Sequence, residues 1–68
     1  MRILDQPLYS VLLEQGFQIT EMENVAKITR NNRTFIIEKK DGKLYNRKRN
    51  LLFLSRAHLL FWLIGLTQ

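Results

Sequence analysis

The residues of this sequence that could do chemistry are its cations, and most of them fall in one stretch of the chain. Between residues 27 and 56 there are ten Lys or Arg residues against two carboxylates, Glu38 and Asp41, for a net charge of +8. Residues 1–26 carry one cation against four carboxylates, a net charge of −3, and residues 57–68 carry no formal charge. This segregation creates a local positive field, which indicates a polyanionic partner.

Eight of these cations lie on or beside two predicted hairpins, and we expect six of the eight to contact the phosphates of a nucleic acid. Lys and Arg near phosphates release condensed counterions, and Arg also forms forked bonds to a phosphate. Tyr45 lies in the same stretch and could stack on an unpaired base or face the protein core. An acidic protein partner would attract the same charges and is a second interpretation. The predicted nucleic-acid contacts are Arg33, Lys40, Lys43, Arg47, Lys48 and Arg49.

Two short patterns are typical of catalytic sites, and both have a simpler structural interpretation. Glu38, Lys39 and Lys40 match the Glu-x-Lys ending of metal-dependent nuclease strands, in which a carboxylate holds Mg²⁺ and a lysine steadies the attacking water. Lysine on exposed edge strands also discourages edge-to-edge pairing. Ser55 and His58 would share a helix face, but no third partner completes a nucleophilic site, so a structural role is favoured for the histidine. We therefore expect no enzyme activity.

Composition removes further classes of protein. With no cysteine and one histidine, the sequence offers neither a disulfide framework nor a thiolate or multi-histidine zinc site, and we expect no cofactor or metal. The 68 residues are 46% hydrophobic and 25% charged, which is typical of a globular chain. A chain of this length encloses only one small core, so we expect a single domain over residues 1–68.

No targeting or membrane-spanning segment is predicted. The N-terminus has Arg2 but no apolar stretch behind it, unlike a secretory signal. The apolar run Leu59–Ile64 falls far short of the roughly 18–20 residues that span a bilayer. We therefore expect a cytoplasmic protein without a membrane span.

Helices are predicted at both ends of the chain. The first runs from Asp5, a good N-cap, to about Gln15. The last starts at Asn50 as N-cap and runs to about Ile64, and it is apolar almost all round, which requires burial on most sides. Because small domains often recover core area by association, we expect a homodimer. The predicted dimer contacts are Leu59, Leu60, Trp62 and Leu63.

Three antiparallel strands are predicted between the helices. Thr34–Glu38 is the clearest strand, and the other two come before Asn31 and after Gly42. The Asn31-Asn32 and Asp41-Gly42 pairs tolerate the left-handed backbone of tight hairpin turns. The expected fold class is therefore α+β, in the order α-β-β-β-α, with an antiparallel meander and two helices on one face.

The order helix, three strands, helix resembles the double-stranded RNA-binding fold, including the small HicA-like toxins of toxin–antitoxin pairs. This resemblance covers most of the chain and rests on element order and size, with no shared motif. Those toxins carry a functional histidine on a strand shortly after a Gly-Ser pair. This sequence has no Gly-Ser pair, and its one histidine, His58, falls on the predicted last helix, which argues against RNA cleavage.

The residues as a whole favour a non-enzymatic protein that binds nucleic acid, either DNA or RNA. We expect a regulatory role of the kind found among small phage, plasmid or bacterial proteins. One alternative is a small protein–protein inhibitor or adaptor that docks its basic face on an acidic partner. Another is attachment to an anionic membrane surface through the helix that carries Trp62.

Overall fold

A helix, five strands and a second helix follow one another in this computed structural model, which describes residues 3–68. The strands form one antiparallel sheet in the order β1-β2-β3-β4-β5, so the predicted α+β class and meander are confirmed. Met1 and Arg2 lie outside the described residues. They belong to the N-terminus, for which the sequence predicts no secretory signal. The elements are α1 (Gln6–Glu14), β1 (Gln18–Met22), β2 (Val25–Arg30), β3 (Arg33–Lys40), β4 (Lys43–Asn46), β5 (Leu51–Leu52) and α2 (Arg56–Leu66).

The sheet has five strands and not the predicted three. Asn24 has a φ of 52°, and the chain reverses there, so the stretch before Asn31 forms two paired strands. The additional strand β5 pairs with β4, as Leu51 lies opposite Asn46. The three-stranded order that suggested the double-stranded RNA-binding fold is therefore not the order of this chain.

Both predicted hairpin turns are confirmed. Asn31 and Asn32 have φ values of 52° and 63°, and Asp41 and Gly42 have values of 54° and 77°. Each pair forms a two-residue loop, because the residues on either side of it lie opposite one another across the strands. A type I′ turn needs positive φ at both central residues, which Asn, Asp and Gly tolerate best.

The first helix begins where predicted, and the second begins later. Asp5 caps α1 by accepting a hydrogen bond from the Leu8 backbone N–H at 3.0 Å. Asn50 has a φ of 52° and belongs to the turn between β4 and β5, so its predicted role as a helix cap is wrong. Ser55 caps α2 instead, with its hydroxyl oxygen 3.1 Å from the His58 backbone nitrogen that donates to it.

His58, in the first turn of α2, forms a hydrogen bond back to the residues that precede the helix. Its Nδ1 accepts a hydrogen bond from the Leu54 backbone N–H at 3.0 Å, and its ring lies edge-on to Phe53 with 5.4 Å between centroids. The Ser55 side chain thus satisfies a backbone donor in the first turn of the helix, and the His58 side chain satisfies the N–H of Leu54, the residue before the cap. This is a structural role for the histidine, as the sequence favours.

Both helices pack on one face of the sheet and run in the same direction. Arg56 at the start of α2 forms an ion pair with Asp5 at the start of α1.

Neither helix in residues 3–68 is long and apolar enough to cross a membrane. The core between helices and sheet includes Leu8 and Leu12 of α1, Ala26, Ile28, Phe35 and Ile37 of the strands, and Leu59 and Leu63 of α2.

The core contains two of the four predicted dimer contacts. Leu59 and Leu63 have no exposed surface in the single chain, because the five-stranded sheet and α1 together cover this side of α2. A second copy could therefore reach only Leu60 and Trp62 of the predicted set, both of which are half-buried. Phe61 is 68% exposed and faces away from the core. The homodimer itself stays a prediction.

Candidate nucleic-acid interface

The face of the sheet opposite the helices is open to solvent. Side chains alternate between the two faces of a strand, and the pairing of the five strands shows which of them share this open side. None of its side chains is buried. We call it the outer face; it consists of Gln18, Thr20, Met22, Val25, Lys27, Thr29, Thr34, Ile36, Glu38, Lys40, Lys43, Tyr45 and Leu52.

Tyr45 lies on the outer face and does not enter the core. It sits opposite Glu38 on one side and Leu52 on the other, and it is half-buried. Its hydroxyl donates to Glu38 Oε1 across 3.4 Å, a long hydrogen bond. Of the two orientations that the sequence left open, the structure therefore shows the one in which the ring can meet a ligand.

Arg47 shares the same carboxylate oxygen. Its Nη2 donates to Glu38 Oε1 at 2.9 Å, while the Arg47 side chain stays 76% exposed and that of Glu38 is 17% exposed. The nearby Tyr45 hydroxyl, followed by the negative charge of Glu38, raises the pKa of Arg47 above its usual value. The arginine is fully charged, but the ion pair with Glu38 offsets part of its positive charge.

Lys40 and Lys43 form a pair of cations on the outer face. They lie opposite each other at the end of the β3–β4 hairpin, and both are exposed. Neither ammonium group is paired with a carboxylate of residues 3–68. Together with Tyr45 they line an open groove, which Asp41, Asn50, Leu51 and Leu52 complete.

The turn between β4 and β5 presents the remaining basic residues. Asn46 is 3% exposed and holds this turn in place, because its Nδ2 donates to the Ile36 carbonyl at 3.0 Å and its Oδ1 accepts from the Arg49 N–H at 2.8 Å. The Asn50 N–H closes the turn on the Arg47 carbonyl at 3.1 Å. A second groove beside the turn is lined by Thr34, Phe35, Ile36, Glu38, Asn46, Arg47, Lys48 and Arg49.

Two predicted contacts, Arg33 and Arg49, turn their guanidinium groups towards the helix layer. Arg33 donates to the Leu66 carbonyl at the end of α2 at 2.9 Å. The Arg49 guanidinium lies 5.5 Å from the ring centre of Phe35 and 5.8 Å from that of Trp62. The structure therefore places Lys40, Lys43, Arg47, Lys48 and Arg49 around the two grooves. Arg49 in addition lies near these two rings, and Arg33 is bonded to the end of α2.

Lys27 is a cation of the outer face that the predicted set omits. It lies between Thr20 and Ile36 in adjacent strands and is exposed. The signal was present in the sequence, because Lys27 alternates with the apolar Ala26 and Ile28 and so belongs to the opposite face of the strand.

Comparisons with known proteins add no relationship to this geometry. No protein-family profile, curated protein or solved structure matches the chain. Its function is therefore inferred from the surface itself.

Proposed function

We propose that this protein binds nucleic acid through the outer face and the adjoining β4–β5 turn, and that it catalyses no reaction there. The observation that supports this most is the groove in which Lys40 and Lys43, two exposed cations without carboxylate partners in residues 3–68, flank the accessible ring of Tyr45. Cations supply sequence-independent affinity for phosphates, and an aromatic ring beside them can stack on a base.

The distribution of carboxylates supports the same surface. The outer face holds three lysines against one carboxylate, Glu38. Other carboxylates serve the helix side: Asp5 caps α1, and Glu21 accepts hydrogen bonds from the Ile3 and Leu4 N–H groups at 2.9 and 3.1 Å. By this count the outer face carries a net charge of +2 of the chain's +5, and Arg47 and Lys48 of the adjoining turn add to it, while Asp41 beside Lys40 and Lys43 offsets part of it.

The proposal is tested by measuring the binding of fluorescently labelled oligonucleotides, single-stranded and duplex, as a function of salt concentration. We expect affinity that falls with salt on a log–log plot. The double variant Lys40→Gln and Lys43→Gln should reduce the magnitude of the slope by about 1.4–1.8, which is the loss of two phosphate contacts. No binding of any oligonucleotide at low salt would overturn the proposal.

Lys39→Gln is the matched control. Lys39 neighbours Lys40 on β3, but it lies opposite Leu44 and lines a groove on the helix side with Asp5 and Leu8. Lys39→Gln and the single variant Lys40→Gln each remove one positive charge, but only Lys40→Gln removes it from the outer face. Comparing the two therefore shows whether the position of the charge, and not only its loss, affects binding. An equal loss in both would contradict an interface on the outer face.

A polyglutamate competitor separates the proposal from an acidic protein partner. If nucleic acid is the ligand, polyglutamate at matched charge should displace it poorly, because it has no bases to stack on Tyr45. Tight binding of polyglutamate without binding of oligonucleotides would instead support the acidic-partner alternative.

A further inference from the structure

We infer that the preferred ligand is a single strand whose bases lie against the centre of the outer face. This inference rests on the proposed function and concerns which form of nucleic acid the surface selects. Its basis is the arrangement of side chains by chemical type: the centre of the surface is aromatic and apolar, and the cations lie around it.

The centre of the surface offers contacts that suit bases. Tyr45 is flanked by Leu52, which is 44% exposed, and Ile36 on the neighbouring strand is 41% exposed. Lys40 and Lys43 lie at one end of these strands, and Arg47 and Lys48 lie at the other. In a duplex the bases are stacked inside and the phosphates are outermost, so the apolar centre would have no partner. A single strand can turn its bases inwards and its phosphates to the rim.

Glu38 strengthens this argument because it stands in the middle of the surface. A phosphate placed there would meet a carboxylate of like charge, already fixed by bonds from Tyr45 and Arg47. A base can use the same carboxylate, since amino groups on base edges donate to Glu. The position of Glu38 therefore disfavours phosphates at the centre and tolerates bases.

The helix layer offers no alternative means of reading a duplex. Side chains that enter the major groove are usually carried on an α-helix or a two-stranded ribbon. Residues 57–68, which include most of α2, carry no formal charge, and the exposed side of this helix presents Phe61 and Gly65. The one Lys or Arg of α2, Arg56 at its start, is paired with Asp5, so the exposed side of the helix has few cations to hold it against phosphates.

The test compares one oligonucleotide sequence in three forms: single-stranded DNA, single-stranded RNA and DNA duplex, at the same low salt concentration. We expect both single strands to bind at least about tenfold more tightly than the duplex, as the loss of stacking contacts implies. The ratio between the DNA and RNA strands shows which sugar is preferred. Equal or tighter binding of the duplex would overturn the inference, while binding of none of the three would overturn the proposed function instead.

Tyr45→Leu tests the stacking directly. Loss of one stacked base should weaken single-strand binding by roughly 5- to 100-fold while leaving the salt slope and duplex binding unchanged. Tyr45→Phe keeps the ring and should bind within about threefold of the unaltered chain. The circular dichroism melting curve of each variant confirms that it is folded. An equal loss for single strand and duplex, or no loss at all, would contradict stacking on this ring.

Discussion

The guanidinium carbon of Arg30 lies 4.4 Å from the centre of the Phe17 ring, and from this position the arginine joins the ends of both helices to the sheet. Its Nη1 donates to the Gln15 carbonyl at the end of α1 at 2.9 Å. Its Nε donates to Thr67 Oγ1 at 2.9 Å, and its Nη2 to the Ile64 carbonyl at 3.3 Å, both at the end of α2. A cation is favourable at a helix C-terminus, so Arg30 serves the fold and not a ligand.

Arg30→Lys should destabilise the protein although it preserves the charge. A lysine cannot reproduce the three directed bonds of the guanidinium, and the loss of hydrogen bonds to a charged group should lower the free energy of unfolding by about 2–3 kcal/mol. Urea denaturation followed by circular dichroism measures this change. Lys27→Gln, on the outer face of the same strand, should stay within about 0.5 kcal/mol and is the control. A change of similar size in both would contradict the role of Arg30.

Glu38→Gln should strengthen binding of nucleic acid. Removing the carboxylate takes a like charge from the surface and releases Arg47 from its ion pair, so one more cation can contact phosphate. The magnitude of the log–log salt slope should rise by about 0.7–0.9. Fluorescence anisotropy titrations at several salt concentrations measure it. An unchanged slope would show that Arg47 contacts no phosphate in the complex.

The ion pair at the start of the helices should stabilise the protein at neutral pH and not in acid. The backbone hydrogen bond from Leu8 is the main factor that lowers the pKa of Asp5 below 3.8, and Arg56 also lowers it. A carboxyl with a lowered folded pKa stabilises the protein above its unfolded pKa, and this contribution is lost as the pH falls through the folded value.

The variant Asp5→Asn, which retains a capping side chain, isolates that charge. At pH 7 it should be less stable than the unaltered chain by about 0.5 kcal/mol, since Asp5 is exposed and a surface ion pair contributes little. The difference should disappear as the pH falls below 3.8. Urea denaturation at neutral pH and in acid measures both values, and a difference that persists in acid would rule out the charge as its source.

A homodimer remains our prediction for the assembly, but its contacts must differ from the predicted set, because Leu59 and Leu63 are buried in the single chain. Leu54 and Phe61 are 83% and 68% exposed, and apolar side chains so exposed are typical of interaction surfaces. Sedimentation equilibrium should give twice the chain mass of 8.2 kDa. Phe61→Asp should return the protein to a monomer, whereas Met22→Asp, on the outer face, should not. A monomeric unaltered chain at micromolar concentration would contradict the prediction.

The sequence predicts those parts of the fold that local chemistry determines. Asp5 identifies the start of α1, and the two hairpin turns follow from residue pairs that tolerate positive φ. Strand β5 could not be predicted, because only its pairing with β4 makes these two residues a strand. Asn50 and Ser55 are equally good caps in sequence terms. The strand pairing places Asn50 in a turn and so leaves the helix to start after Ser55.

In the candidate site too, the sequence predicts the positions that a local turn determines and not those that distant contacts determine. Lys40 and Lys43 could be predicted because the Asp-Gly turn brings the residues on either side of it together. The internal bond of Arg33 could not be predicted, since its acceptor, the carbonyl of Leu66, lies 33 residues away along the chain. The ring partners of Arg49 are also distant, as they belong to β3 and α2, and its contact with nucleic acid stays a prediction. A list of cations in a sequence does not show which of them the fold itself uses.

The common direction of α1 and α2 gives the molecule an electrical polarity along its strands. The aligned peptide dipoles of each helix place about half a positive charge at its N-terminus and about half a negative charge at its C-terminus. Both N-termini lie at the end of the sheet that carries Gly42, and the guanidinium groups of Arg30 and Arg33 neutralise the opposite ends. If the ligand is a polyanion, as proposed, these two N-termini add to the positive field of Lys40 and Lys43 at this end of the sheet, and Asp5 at the cap of α1 offsets part of that field.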